Sequence, residues 1–314
     1  MDVLSWVGSQ SDGDAAAVRR HRFHQSWYRA FVLGLATGTG PQQHATSQYG
    51  NMLRAEDAAA GRNFLTDEIY EIAERRIAEG GTVEPFRCRH NMLSSQPMCF
   101  NLIGPLQSRP ALAAVLVKAV TGRDVEVEDG GVRLEDSPGY LGDNTGLDAS
   151  IRYRTSDGRR GVLGIETKLT ERFSRKVYDL DSKPAYRRYS EASNAPFDRS
   201  QLEQLTDSRW NQLWRNQLLC EAIAEHEQRD FADQLIGFPD DATKTAAIVT
   251  QYAGLLQRPE VVAARTLTDI HATLRQAADH ADMPWLESFR VRYLALELSH
   301  SLYLTWRDGQ SFPR

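Results

Sequence analysis

The chain has 314 residues, with 37 Lys and Arg against 42 Asp and Glu and a formal net charge of -5. At 41% hydrophobic and 25% charged it can bury a sizeable core without disulfides or metals. The charge excludes a protein that coats nucleic acid by bulk attraction, and the longest strictly apolar run, Ala111 to Val117, falls far short of the ~20 residues of a membrane helix. Residues Met1 to Arg20 lack a basic segment followed by an apolar one, so no secretory signal is expected. Ser9 to Asp14 reads as a loose tail. Helical periodicity runs from Ala15 to about Leu35 and is broken by Thr37-Gly38-Thr39-Gly40-Pro41. A second helix is predicted over Ala55 to Glu79, ended by Gly80-Gly81, and a short one from Pro110 to Val120, ended by Gly122. From Val125 the period changes to two, and strands are predicted over Leu147–Thr155 and Gly161–Leu169. Lys183 to Ser200 reads as a loop. Helices are then predicted over Gln201–Arg229, Lys244–Leu256, Val261–His280 and Trp285–Trp306.

Cys88, Cys99 and Cys220 form no C-x-x-C pair, which points to reduced thiols and a cytoplasmic setting. The glycines of Gly34–Gly40 lack the G-K-[ST] of a phosphate-binding loop. His21 and His24 stand among Arg19, Arg20 and Arg22 and read as a solvated basic helix start. His300-Ser301 lacks a G-x-S-x-G elbow. Trp210, Trp214 and Trp306 sit at helical spacing with other apolar residues and read as core.

The informative stretch is the pair of alternating runs around Asp157-Gly158, a hairpin signal. A two-residue turn would set Asp148 opposite Thr167. A three-residue loop, Ser156-Asp157-Gly158, with Gly158 left-handed, sets Asp148 opposite Glu166 and brings Lys168 onto the same face; a β-bulge would do the same. Opposed Cβ atoms lie about 4.5–5.5 Å apart. Two carboxylates so close favour a divalent cation, and hard oxygen ligands suit Mg2+. Such a cluster points to metal-assisted phosphodiester hydrolysis, with Lys168 orienting water or neutralising phosphate charge. Alternating Asp, Glu and Lys is more often a solvated strand face. Against that, Glu166 follows the apolar run Val162-Leu163-Gly164-Ile165 of a buried strand.

Asp148 followed at a hairpin's length by Glu166-Thr167-Lys168 resembles the D…(D/E)-x-K signature of the PD-(D/E)XK nuclease superfamily. Ser94 to Leu102 upstream and Gln212 to Leu218 downstream are similar to a bacterial restriction-endonuclease-like group of that superfamily. The resemblance covers residues 55 to 225. It departs from the pattern where Gly146-Leu147, not Pro, precedes Asp148. It implies an α/β fold whose restriction-endonuclease-like core is a small mixed central sheet flanked by helices, with additional N- and C-terminal helices. The expected division is an N-terminal helical extension over 1–54, the nuclease-like core over 55–230 and a C-terminal helical region over 231–314. Asp148 and Glu166 are then the metal ligands and Lys168 the catalytic lysine. The metal is expected to be Mg2+, with Mn2+ as substitute. Glu68 and Glu71 are accessory candidates if the Ala55–Glu79 helix is the first core helix. Gln212, Arg215 and Asn216 are candidates to touch substrate phosphate.

The expected activity is that of a metal-dependent nuclease acting on duplex DNA, of restriction, defence or repair type, with a homodimer suited to double-strand cleavage. The alternatives are a catalytically silent nucleic-acid-binding or assembly module and an RNA-directed nuclease. The charge distribution favours local phosphate binding. Residues 147–190 hold 11 Lys and Arg against 6 Asp and Glu, while the remainder holds 26 against 36.

Overall fold

The alternating runs fold as an antiparallel meander of β1 (Val125–Asp136), β2 (Leu147–Thr155) and β3 (Arg160–Thr167). β4 (Phe231–Phe238) pairs parallel to β3, and β5 (Val262–Thr266) parallel to β4, which completes a five-stranded mixed sheet in the order of the chain. The computed structural model describes residues 3–40 and 48–309. Pro41, part of the predicted break, lies outside them. The chain divides into two compact units: one is Ile103–Ala278 with Gly80–Thr82, and the other collects Val83–Leu102 and the chain before Gly80 and after Ala278. The sheet belongs wholly to the first.

The turn between β2 and β3 is the three-residue loop. Thr155 N donates to Arg159 O at 2.8 Å, Gly158 has φ +86°, and the ladder runs from Arg154–Arg160 to Ala149–Ile165. Glycine takes this φ without a Cβ clash, which fixes the turn and with it the register. β3 lies between β2 and β4, and Gly161 to Thr167 are all buried, as the apolar run requires.

Helices cover both faces of the sheet. α1 (Pro110–Thr121) starts at a proline, ends at left-handed Gly122 (φ +73°) and packs on β1. α2 (Asn211–His226) packs on β3 and β4, while α3 (Thr243–Ala253) and α4 (Leu267–Ala277) pack on β4 and β5. Gly164 lets α2 come close, because a Cβ there would lie 2.4 Å from Cys220 Sγ. On the other face a Cβ at Gly237 would meet Ile270 of α4 at 3.1 Å. Leu213, Trp214, Leu218, Leu219 and Ile223 of α2 are fully buried in one core with Val162, Ile236, Tyr186 and Phe197.

Several predicted elements differ from those observed. β4 has no counterpart in the prediction, and β5 occupies the start of the predicted Val261–His280 helix. The sheet therefore runs to Thr266, past the limit of 230 expected for the core. The predicted Gln201–Arg229 helix is interrupted before Asn211, and Pro184–Ser190 is helical inside the predicted loop.

In the other unit, the expected tail includes a helix, Val3–Val7, whose Val7 is buried. The Ala55–Glu79 helix is two, Ala55–Ala59 and Asp67–Ala78, the second capped by the Thr66 hydroxyl. Trp285–Trp306 is likewise broken into Met283–Phe289 and His300–Asp308. His21 and His24 are buried, not solvated. His24 Nδ1 meets Ser299 Oγ at 2.9 Å and Nε2 meets Val291 O at 3.0 Å, and burial pushes its pKa down to about 3. The predicted upstream motif serves this unit's interior: Asn101 donates to Tyr293 Oη at 2.9 Å and accepts from Trp285 Nε1 at 2.8 Å through its carbonyl.

Candidate active site

The site lies where the β2–β3 ladder ends. Beyond Ala149–Ile165, Thr167 N donates to Asp148 Oδ2 at 2.7 Å and Thr167 Oγ1 adds a second bond at 2.8 Å. The carboxylate itself closes the gap between the strands, leaving Oδ1 for another ligand. β3 then continues to β4 through Lys168 N, which donates to Gly237 O at 2.8 Å. That bond fixes the residue carrying the ammonium.

Glu166 is buried and gripped on both oxygens. Gln212 Nε2 donates to Oε1 at 2.8 Å and Asn216 Nδ2 donates to Oε2 at 2.8 Å. Gln212 and Asn216 are four apart on α2, so one helix face presents both amides. Lys168 Nζ lies 2.6 Å from Glu166 Oε1 and 3.3 Å from Gln212 Oε1, with the Phe173 ring 5.1 Å away. A carboxylate offers about four lone-pair sites. Three donors occupy Glu166 and two occupy Asp148, so both keep capacity for a cation.

Glu135 is the acid that the sequence reading missed. It lies between Leu134 and Asp136, which pair with Ala149 and Leu147, and so stands across from Asp148 on β1. It is buried, has φ +50°, and accepts a bond from Thr82 Oγ1 at 2.7 Å. A left-handed glutamate inside a strand is unusual, and this is the only signal besides burial that marks it. Nothing in the local pattern of Glu126, Glu128, Asp129, Glu135 and Asp136 separates it from solvated acids.

Burial, then the neighbouring charges of Glu166 and Glu135, raises the Asp148 pKa well above the usual carboxylate range. For Lys168, burial opposes the charge, but Glu166 and Asp148 outweigh it and raise the ammonium above its ordinary value. Three carboxylates against one ammonium leave an excess of negative charge in a partly dry place. Such a site takes up either a proton or a cation.

Among the described residues, no group of three or more His, Cys, Asp or Glu is arranged to hold a metal ion. Asp148 and Glu166 are the two carboxylates that the β2–β3 hairpin brings together here. They fit a hard divalent ion that keeps several waters and completes its shell with phosphate oxygens, as Mg2+ does.

The expected residues are placed as follows. Asp148, Glu166, Lys168 and Gln212 come together, and Gln212 and Asn216 reach Glu166 where a phosphate contact was expected. Arg215 is buried, with its guanidinium 4.6 Å over the Tyr178 ring. Glu68 and Glu71 lie on Asp67–Ala78 of the other unit, and Glu71 is exposed. Their accessory role presumed that this was the first core helix. The helix packed on β1 is α1, which carries no carboxylate.

A five-stranded mixed sheet with helices on both faces, carrying Asp on one strand and Glu-x-Lys at the end of the next, is a restriction-endonuclease-like fold. The family model for the PD-(D/E)XK nuclease superfamily matches residues 12–295, well beyond the 55–225 of the resemblance. The chain belongs to that superfamily. No curated protein and no solved structure matches it. Among the described residues, no helix is long and apolar enough to cross a membrane.

Proposed function

We propose that the chain is a Mg2+-dependent deoxyribonuclease that hydrolyses phosphodiester bonds of duplex DNA, with Mn2+ as an alternative ion. The observation that carries this reading is the convergence of Asp148, Glu166 and Lys168, with both oxygens of Glu166 held by α2. Asp148 and Glu166 would hold the ion. When bound, it would polarise the phosphate and offset the charge that builds on it during attack by water.

The chain's own groups do the rest. Thr167 holds one oxygen of Asp148, so the other is aimed without a search among rotamers. Gln212 and Asn216 do the same for Glu166. Lys168, held 2.6 Å from Glu166 Oε1, is placed to donate to phosphate oxygen or water. The unit Ile103–Ala278 carries this chemistry.

A restriction, defence or repair role belongs to the same reading, and so does a homodimer. Among the described residues each chain has one such site, and cutting both strands together calls for two. The three cysteines are buried and none is in a disulfide, in keeping with a cytoplasmic setting. Cleavage of supercoiled and linear plasmid in Mg2+ or Mn2+ tests the proposal. Cleavage by the wild type and its loss in Lys168→Ala support it; cleavage unchanged in Lys168→Ala overturns it. RNA in parallel reports the substrate, and light scattering reports the dimer.

A further inference from the structure

We propose that residues 170–183, which leave the sheet directly after Lys168, form a strap that grips the sugar–phosphate backbone beside the scissile bond. Arg172, Arg175 and Lys176 are its contact residues. The inference rests on the nuclease reading of Asp148, Glu166 and Lys168, and adds the side from which the substrate is held.

The first observation is how the strap is fastened. Ser174 N donates to Gln212 Oε1 at 2.7 Å. Tyr178 N donates to Asn211 Oδ1 at 3.1 Å, and Asn211 Nδ2 donates back to Tyr178 O at 2.8 Å. Arg215 covers the Tyr178 ring. The two pins, Asn211 and Gln212, are adjacent on α2, so Arg175-Lys176-Val177 is held between them as a short loop. All three residues are exposed, and Val177 is 57% exposed, so the loop does not pack on its own unit. Gln212 is shared: its Oε1 takes the strap and Lys168, and its Nε2 holds Glu166. One side chain thus ties the strap to both catalytic groups.

The second observation is what the charges do. Of the cations in 147–190, Arg152, Arg159, Arg160, Lys168, Arg187 and Arg188 are spent on acids of this chain. The acids of the strap are engaged too. Glu171 accepts from the backbone at Leu169 and Thr170, Asp179 from Ser182, and Asp181 pairs with Arg187. Arg172, Arg175 and Lys176 alone on the strap are exposed cations without an acidic partner among the described residues. From Arg172 to Arg175 the chain can span up to about 10 Å. Each strand of a duplex places one phosphate per ~3.4 Å of axis, so the strap can meet more than one.

The test is binding of a labelled duplex by fluorescence anisotropy across a salt series, on a Lys168→Ala background that holds the substrate uncut. The triple variant Arg172→Gln/Arg175→Gln/Lys176→Gln changes only exposed side chains. If each cation meets one phosphate, the slope of log affinity against log salt falls by about 2.7, at ~0.9 per phosphate, and affinity falls ten- to hundred-fold near physiological salt. Arg187→Gln/Arg188→Gln, which removes cations already paired, leaves the slope unchanged. Equal slopes and affinities in the triple variant and its parent overturn the strap while leaving the nuclease reading intact. A reduced slope in a protein whose wild type cuts no nucleic acid in any divalent ion leaves the three cations as backbone contacts but overturns the nuclease reading, and with it their place beside a scissile bond. A wild type that binds neither duplex DNA, single-stranded DNA nor RNA overturns the strap.

Discussion

Two clusters of charge stand at the central sheet, one half-buried and one buried, and they are built on opposite rules. In one, Arg152, Arg160 and Arg229 meet Asp136, Glu128 and Glu227. Arg152 reaches Asp136 at 2.6 Å and Glu227 at 2.8 Å, Arg229 reaches Glu227 at 2.8 Å and Glu128 at 2.9 Å, and Arg160 reaches Glu128 at 2.9 Å. Charges are matched and geometry is near ideal. Burial works against the Glu128 and Glu227 charges, yet the arginines win and push both pKa values down to about 2. In the other cluster Glu135, Asp148 and Glu166 face one lysine, and Asp148 is pushed up. Charged residues of the same three strands, β1 to β3, pair acid with arginine in one cluster and bring acid to acid in the other, so one cluster balances itself and the other does not. The balanced cluster neutralises itself, whereas the unbalanced one keeps an excess of negative charge.

The largest expected effect is on cleavage. Glu166→Gln and Lys168→Ala each reduce metal-dependent cleavage by about 10²–10⁴-fold, whereas Glu227→Gln leaves it within a few-fold. Initial rates on plasmid DNA compare them, and equal losses at both clusters would remove the distinction.

Stability shows the reverse. Arg152→Ala strands the buried Asp136, while Glu227 keeps Arg229, and costs about 3 kcal/mol in denaturant unfolding. Its side chain is only 1% exposed, so solvent screens little of this.

Divalent ion separates the clusters next. Saturating Mn2+ at ~100 times its Kd stabilises the folded state by about 2.7 kcal/mol. Calorimetry reads this as a raised melting temperature in the wild type and no change in Asp148→Asn.

Without metal, Asp148→Asn removes a repelled carboxylate and stabilises the chain by about 0.5–2 kcal/mol, the usual trade of function for stability. A destabilised Asp148→Asn would mean that the acids do not strain the metal-free fold.

The smallest effect is on pH dependence, where the two clusters have opposite signs. Glu128 and Glu227 have folded pKa values below their ordinary 4.5, so the stability they contribute is present above pH 4.5 and is lost as pH falls towards 2. Asp148 has a folded value above its ordinary 3.8, so its contribution is present below that and is lost as pH rises through the folded value. Unfolding curves across pH should show Glu227→Gln flattening the acid limb and Asp148→Asn flattening the decline above it.

The catalytic centre was legible because its signal is local. The three-residue turn at Gly158 is set by neighbours in the chain, and the register of β2 against β3 follows from it. Asp148, Glu166 and Lys168 were therefore singled out from spacing and from a resemblance to known nucleases. The rest depended on distant partners. β4 lies between two helices, its pairing with β3 is parallel and long-range, and Phe231–Phe238 carries no turn that announces it. His24 sits among arginines in the chain, but Ser299 and Val291, far along the sequence, take its ring nitrogens. The local excess of positive charge after Asp148 was real, yet it overstated what is available, because six of those cations are spent on acids that folding brings up.

The sequence alone determined the hairpin and narrowed its turn to a few registers, one of which gathers Asp148, Glu166 and Lys168, since these rest on backbone preferences and alternation over a few residues. Tertiary structure decided that Gln212 and Asn216 hold Glu166, that Glu135 adds a third charge, and that Arg172, Arg175 and Lys176 stay uncompensated. Those outcomes are sums over charges and hydrogen bonds between strands and a helix separated by tens of residues. No local pattern encodes whether a buried acid will meet an arginine or another acid.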